Sequence, residues 1–127
     1  MEPKRDITGR EDIVHLVDAF YGRARRDKEI GHFFNEVATI DWDTHMPRMY
    51  DFWESTLFHH PTYSGNPIPL HIDLDRKSSM SHDHFERWVS LFTDTVNQLF
   101  DGPIAELARQ RARSIATVME IKIFQSR

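Results

Sequence analysis

The segment "HDHFERWVSLFTDTVNQLF", residues 82–100, sets the fold class. Phe85, Trp88, Val89, Phe92, Val96 and Leu99 recur at i, i+3, i+4 and i+7, the spacing that gathers apolar side chains on one face of a helix. No part of the chain alternates apolar and polar residues with period two, as a half-buried strand would. Further stretches carry the same helical pattern. In the first, Thr8 and Glu11 have capping-box spacing, and Ile13, Leu16, Val17, Phe20, Tyr21 and Ala24 form one stripe of a helix running to about Asp27. In the second, Thr44 or Asp43 caps a helix with Pro47 in its first turn and with His45, Met49, Phe52, Trp53 and Thr56 on one face. The last starts after Asp101, Gly102 and Pro103 and turns Ile104, Leu107, Ala108, Ile115, Val118 and Met119 inward. "EIGHFFNEV" lies between the first two and reads as a compact corner. The pattern predicts an all-α chain of four substantial helices that must cover one another's apolar faces.

"HHPTYSGNPIPLHIDLDRKSSMS", residues 59–81, interrupts this pattern with three prolines, a glycine and several serines. It reads as a long irregular loop ahead of a cap at Ser79 or Ser81, and a loop of that length is either functional or well tied down. Within it His71 stands between Leu70 and Ile72, a titratable ring in an apolar patch. From these residues alone, a histidine bonded to nearby backbone is the simpler account.

At 127 residues the chain is expected to be one domain over 1–127, with about 1–7 as a loose N-terminal extension. Twenty acidic against sixteen basic residues give a formal charge of −4, and the basic residues are scattered, which argues against a nucleic-acid partner. The start "MEPKRDITGRED" has no apolar run behind its charges, and no window of about 18 apolar residues occurs. Those features predict a soluble, cytoplasmic protein with no membrane partner. With no cysteine, the chain has no disulfide, no iron–sulfur ligation and no thiolate-bound or covalently attached haem. Any iron chemistry rests on histidine, tyrosine or carboxylate. Tyr21, His45 and Trp88 sit on stripes that should face inward, and a buried unpaired donor costs roughly 1–3 kcal/mol, so each wants a partner. Together with His71 they outline a pocket with one metal ligand and several donors. A flat, iron-bearing cofactor fits that description.

With those residues in place, "AFYGRARRDKEIGHFFN", "HMPRMYDFW", "YSGNPIPLH" and "HFERWVSLF" together resemble the truncated haemoglobins, most closely their third group, from about Asp12 to Phe124. The third group lacks the Gly-Gly pairs of its sister groups, and here no two of the five glycines are adjacent. "DLDRKSSMS" is a few residues longer than the family usually has between the ligand histidine and the next helix. The resemblance implies a two-over-two helical sandwich around non-covalent haem b, with His71 as the proximal iron ligand and Leu70, Ile72 and Leu74 as its apolar wall. It implies that Tyr21 and Trp88 donate toward a diatomic ligand on the other haem face, with His45 at the distal position as a gate. It also implies that Met49 fills the cavity and Phe34 stacks on the porphyrin. Arg76 and Lys77 are expected either at the haem propionates or simply solvated, and Tyr63 at the haem edge. His59, His60, His82 and His84 are expected to be solvated.

The function so implied is binding of dioxygen, nitric oxide or carbon monoxide. Strong distal donors imply slow dioxygen release and a role in small-oxidant chemistry more than oxygen transport. The alternatives are a haem enzyme consuming nitric oxide or peroxide with an external reductase, and a cofactor-free helical interaction domain.

Overall fold

The computed structural model describes residues 4–59 and 68–127, with the backbone alone at 68–70. Its helices are α1 (Arg10–Ala24), α2 (Trp42–Phe58), α3 (Ile68–Lys77), α4 (His82–Leu99) and α5 (Pro103–Gln125), with a π turn at Phe33–Val37. Among the described residues there is no strand, as the missing period-two pattern implies. α1 packs on α2 and α4, and α5 packs on α4 and α2, so two helix pairs lie one over the other. α3 sits at one end, against α5 and the π turn.

The core follows the stripes. Ile13, Leu16, Val17, Phe20 and Ala24 of α1 meet Trp53 and Leu57 of α2 and Phe92 and Val96 of α4. On α5 the inner face is Ala105, Ala108, Ala112, Ala116, Met119 and Ile123, and small residues at that spacing let α4 and α5 approach closely. Val118, expected inside, is half exposed, because the inner stripe passes through Ala112, Ala116 and Met119 and leaves position 118 facing outward.

Several local expectations are corrected by hydrogen-bonding groups that sequence spacing does not weigh. Thr8 does not cap α1: the N-cap is Gly9 without a side-chain bond, and the buried Asp12 carboxylate instead accepts from Thr8 N (2.8 Å), Thr8 Oγ1 (2.9 Å) and Arg5 Nη1 (2.7 Å). α1 stops at Ala24, and Asp27 Oδ2 takes the Glu29 and Ile30 amides to build the following turn. α2 begins at Trp42, so Pro47 lies in its second turn, where its missing N–H leaves the exposed Asp43 without an i+4 donor. Ser81, one of the two expected caps, closes a reciprocal box on α4 with the His84 ring as its second member. His84 is therefore half-buried, and His82, though exposed, pairs with Glu120 at 2.8 Å.

Residues 4–7 are pinned down, contrary to the loose extension expected. Lys4 Nζ donates to the Asn97 carbonyl at 2.7 Å, Ile7 is buried, and Asp6 accepts the Ile104 and Ala105 amides of α5 at 2.9 and 2.8 Å. Asp6 is thus the N-terminal cap of a helix almost a hundred residues away. It fits because Gly102, at φ 144°, has no Cβ, and a Cβ there would stand 2.5 Å from the Asp6 carboxyl carbon.

The region read as irregular holds α3, whose first turn contains Pro69 where a missing N–H breaks no helical bond. His71 is the fourth residue of that helix.

Candidate functional site

Tyr21 on α1 and His45 on α2 meet directly, Oη to Nε2, at 3.2 Å. Their contact follows from the two stripes: Tyr21 lies one turn before the buried Ala24 of α1, and His45 lies two turns before the buried Trp53 of α2. Aromatic edges close around the pair. Tyr21 meets Phe20 at 5.2 Å, Phe34 at 5.8 Å, Trp42 at 5.7 Å and His45 at 5.4 Å between ring centres, all edge to face. Phe34 is delivered by the π turn, which Asn35 ties to the Arg25 carbonyl (2.7 Å) and which Gly31 permits, since a Cβ at Gly31 would lie 2.8 Å from that same carbonyl oxygen. Trp88 joins at one remove: it packs edge-on to Phe20 at 5.7 Å and stacks on Phe92 at 5.8 Å. Met49, one turn beyond His45, is half-buried against the core.

The electrostatics keep both polar groups neutral. Burial pushes the Tyr21 hydroxyl well above its ordinary range, so it retains its proton. Burial holds the His45 imidazole below its usual value, and the neighbouring His71 and Arg48 add to the effect. His71, half-buried on α3, is therefore close enough to His45 to weigh on its charge. Ile72 and Leu74, flanking it on α3, pack against the two parts of the core.

The remaining expected residues fall elsewhere. Arg76 is exposed and faces Asp73 of its own helix at 3.6 Å. Tyr63 and His60 lie outside the described residues, and His59 is exposed at the left-handed C-cap of α2. Asp75, one turn beyond His71, is committed to Arg127 at 2.8 Å and to the Met80 amide at 2.8 Å.

Two residues went unnoticed in the sequence. Trp42 forms a wall of the Tyr21–His45 pair, with His45 at 5.6 Å, and the Arg25 guanidinium lies over its ring at 4.2 Å. Both also line a cleft of about 250 Å³, with Asp18, Tyr21, Gly22 and Met46, on the outer side of Tyr21. The signal available for Trp42 was its position three residues before His45, which puts the two rings on one helix face.

No family model matches the chain. It is 29% identical over 125 residues to the Group 3 truncated hemoglobin of Campylobacter jejuni, covering 96% of each chain. The crystal structure of group III truncated hemoglobin from Campylobacter jejuni superposes with a TM-score of 0.78 at 30% identity, covering 92% of each chain. The chain belongs to the group III truncated haemoglobins. Its helix pairs are accordingly the two-over-two sandwich of a truncated globin. In this truncated haemoglobin no described helix is long and apolar enough to cross a membrane.

Proposed function

We propose that this truncated haemoglobin holds one non-covalent haem b through His71 and takes up dioxygen, nitric oxide or carbon monoxide beside Tyr21 and His45. The observation that carries the reading is the hydrogen-bonded Tyr21–His45 pair, neutral and walled by aromatic rings, with His71 near His45 on a separate helix. The residues fit haem in a second respect. Among the described residues no group of three or more histidine, cysteine or carboxylate side chains is placed to hold a metal ion. A lone imidazole, here His71, would suffice for a metal that arrives already chelated, as iron does in haem.

Haem, when bound, supplies iron with an open coordination position at which a small diatomic molecule is held and polarised. The chain does the rest. His71 lends a ring nitrogen, and Ile72 and Leu74 give it apolar surroundings. Phe34, Trp42 and Met49 keep water from the Tyr21 hydroxyl, where a donor acts more strongly than in bulk solvent. The His45 tautomer sets what that hydroxyl can do. When His45 Nε2–H donates to Tyr21 Oη, the tyrosine proton is free to point at a ligand; when Nε2 accepts, that proton is engaged. His45 thereby acts as gate and regulator, and the Trp88 indole adds a second donor. Two donors favour slow release, and hence small-oxidant chemistry over bulk transport.

A second reading, an enzyme that consumes nitric oxide or peroxide with an external reductase, draws support from the depressed His45 pKa: a neutral imidazole accepts a proton and hands it on at Nε2. Haemin titrated into apoprotein should give an intense Soret band at one-to-one stoichiometry, and His71→Ala should lose most of the affinity. Unchanged spectra in that variant defeat the reading, and protein that stays colourless under haem supply favours a cofactor-free interaction domain. Stopped-flow dioxygen release, run beside nitric oxide consumption with a reductase, separates binder from enzyme.

A further inference from the structure

The helix that carries His71 is held at its far end by an ion pair between the buried Asp75 and the partly exposed Arg127. Asp75 is one helical turn beyond His71 and only 8% exposed. Its carboxylate accepts from Arg127 Nη2 at 2.8 Å and Nε at 3.3 Å, and from the Met80 amide at 2.8 Å. The same guanidinium donates to Ser79 Oγ at 3.2 Å and to the Met80 carbonyl at 3.0 Å, and lies 4.9 Å from the Phe124 ring centre. One planar fork thus ties α3, the segment joining α3 to α4, and the end of α5. A bidentate guanidinium fixes orientation as well as distance, which a lysine ammonium does not. Rotation of α3 about its axis would swing Asp75 and His71 together, since residues four apart share a helix face.

We propose that Asp75 and Arg127 are a positioning pair that sets the orientation of the His71 ring; this rests on the reading of His71 as the iron ligand. Asp75 is spent on Arg127 and the Met80 amide, and it acts on His71 through the rigid turn between the two residues. The longer stretch after His71 is the part of the chain the pair fastens: a helix end followed by four residues, 78–81, would otherwise be free to shift against α5.

The test uses the full chain loaded with haem, in its ferrous form, and reads two quantities: the iron–histidine stretching band and the rate of haem transfer to apomyoglobin. Arg127→Gln and Asp75→Asn should each shift or broaden the band and speed transfer about tenfold or more, the usual scale for losing a group that orients a metal ligand. Arg127→Lys, which keeps the charge but not the fork, should fall between. The same substitutions are then made in His71→Gly protein supplied with imidazole, whose ring has no tether to α3. There the band should not respond. A parental band in Arg127→Gln overturns the proposal, and so does an equal response in the imidazole-filled background, which would mark a general loosening. Should Asp75→Asn fail to fold by circular dichroism, Arg127→Gln decides, because that side chain is 37% exposed and its loss leaves the core intact. A stretching band kept by His71→Gly without imidazole is a different failure: it removes the ligand assignment itself, and the pair's role with it.

Discussion

Replacing Asp6 by alanine should cost the chain a disproportionate share of its stability for a residue six positions from one end. Its carboxylate accepts from the Ile104 and Ala105 amides and from the Ile7 amide at 2.9 Å, so alanine orphans three backbone donors at once. Loss of an N-cap costs about 1–2 kcal/mol, and an anion at a helix N-terminus adds about 0.3–1 kcal/mol. The Ile7 amide belongs to a residue 2% exposed, so part of the roughly 1 kcal/mol for an unsatisfied donor is added. The sum is about 2–3 kcal/mol. For a chain between the size classes for which 1 kcal/mol is worth about 2–4 and 4–8 °C, that is a fall of about 6–15 °C in Tm. Urea denaturation followed by circular dichroism should show a lower midpoint at unchanged slope, because the same surface is exposed on unfolding. Asp6→Asn, which keeps one acceptor, should lose about half as much. A loss below about 0.5 kcal/mol in Asp6→Ala, the ordinary scatter of surface substitutions, would refute the idea that this carboxylate caps α5 from a distance.

Tyr21→Phe keeps the ring and deletes the hydroxyl, so in haem-loaded protein dioxygen should dissociate roughly tenfold faster or more, one donor to a dipolar acceptor being worth about 1.5–3 kcal/mol; unchanged stopped-flow rates would make Tyr21 a packing residue only. Arg5, hydrogen-bonded to Asp12, holds that carboxyl at about 2 in the fold. A depressed carboxylate stabilises above its unfolded value and loses that contribution as pH falls through the folded one, so midpoints of parent and Asp12→Asn should converge between about pH 4 and pH 2. Solvent screening at the exposed Arg5 keeps the difference near neutrality below that of a buried pair, and parallel curves across that window would disprove the linkage.

What the sequence disclosed and what it concealed divide along physical lines. Stripes at 3.6-residue spacing report burial, and burial built α1 and α4 as expected. Caps are competitions among several nearby polar groups, and spacing does not say which wins: Asp12 took the bonds expected of Thr8, and His84 became the partner of Ser81. The residues of α3 read as irregular because prolines argue against a helix only when they fall inside one, and Pro69 falls in its first turn; only the resemblance placed His71 on a short helix or turn. Long-range pairs leave no local trace at all. Nothing near Asp6 foretells Gly102, and nothing near Asp75 foretells Arg127. The resemblance supplied Phe34 and Trp88 their neighbourhood, while Trp42, edge-on to both Tyr21 and His45, has no part in it.

The aromatic packing also settles where the protein glows. The chain has three tryptophans, Trp42, Trp53 and Trp88. Trp53 stacks on one side of Phe92 at 4.6 Å, Trp88 stacks on the same ring at 5.8 Å, and Trp42 leans on Tyr21 and His45. No indole stands apart from this cluster to act as a reference lamp. Ultraviolet emission from this molecule is therefore not an average over the fold; its colour and yield come from one connected aromatic cluster, and a chromophore bound against that cluster would darken the whole protein at once.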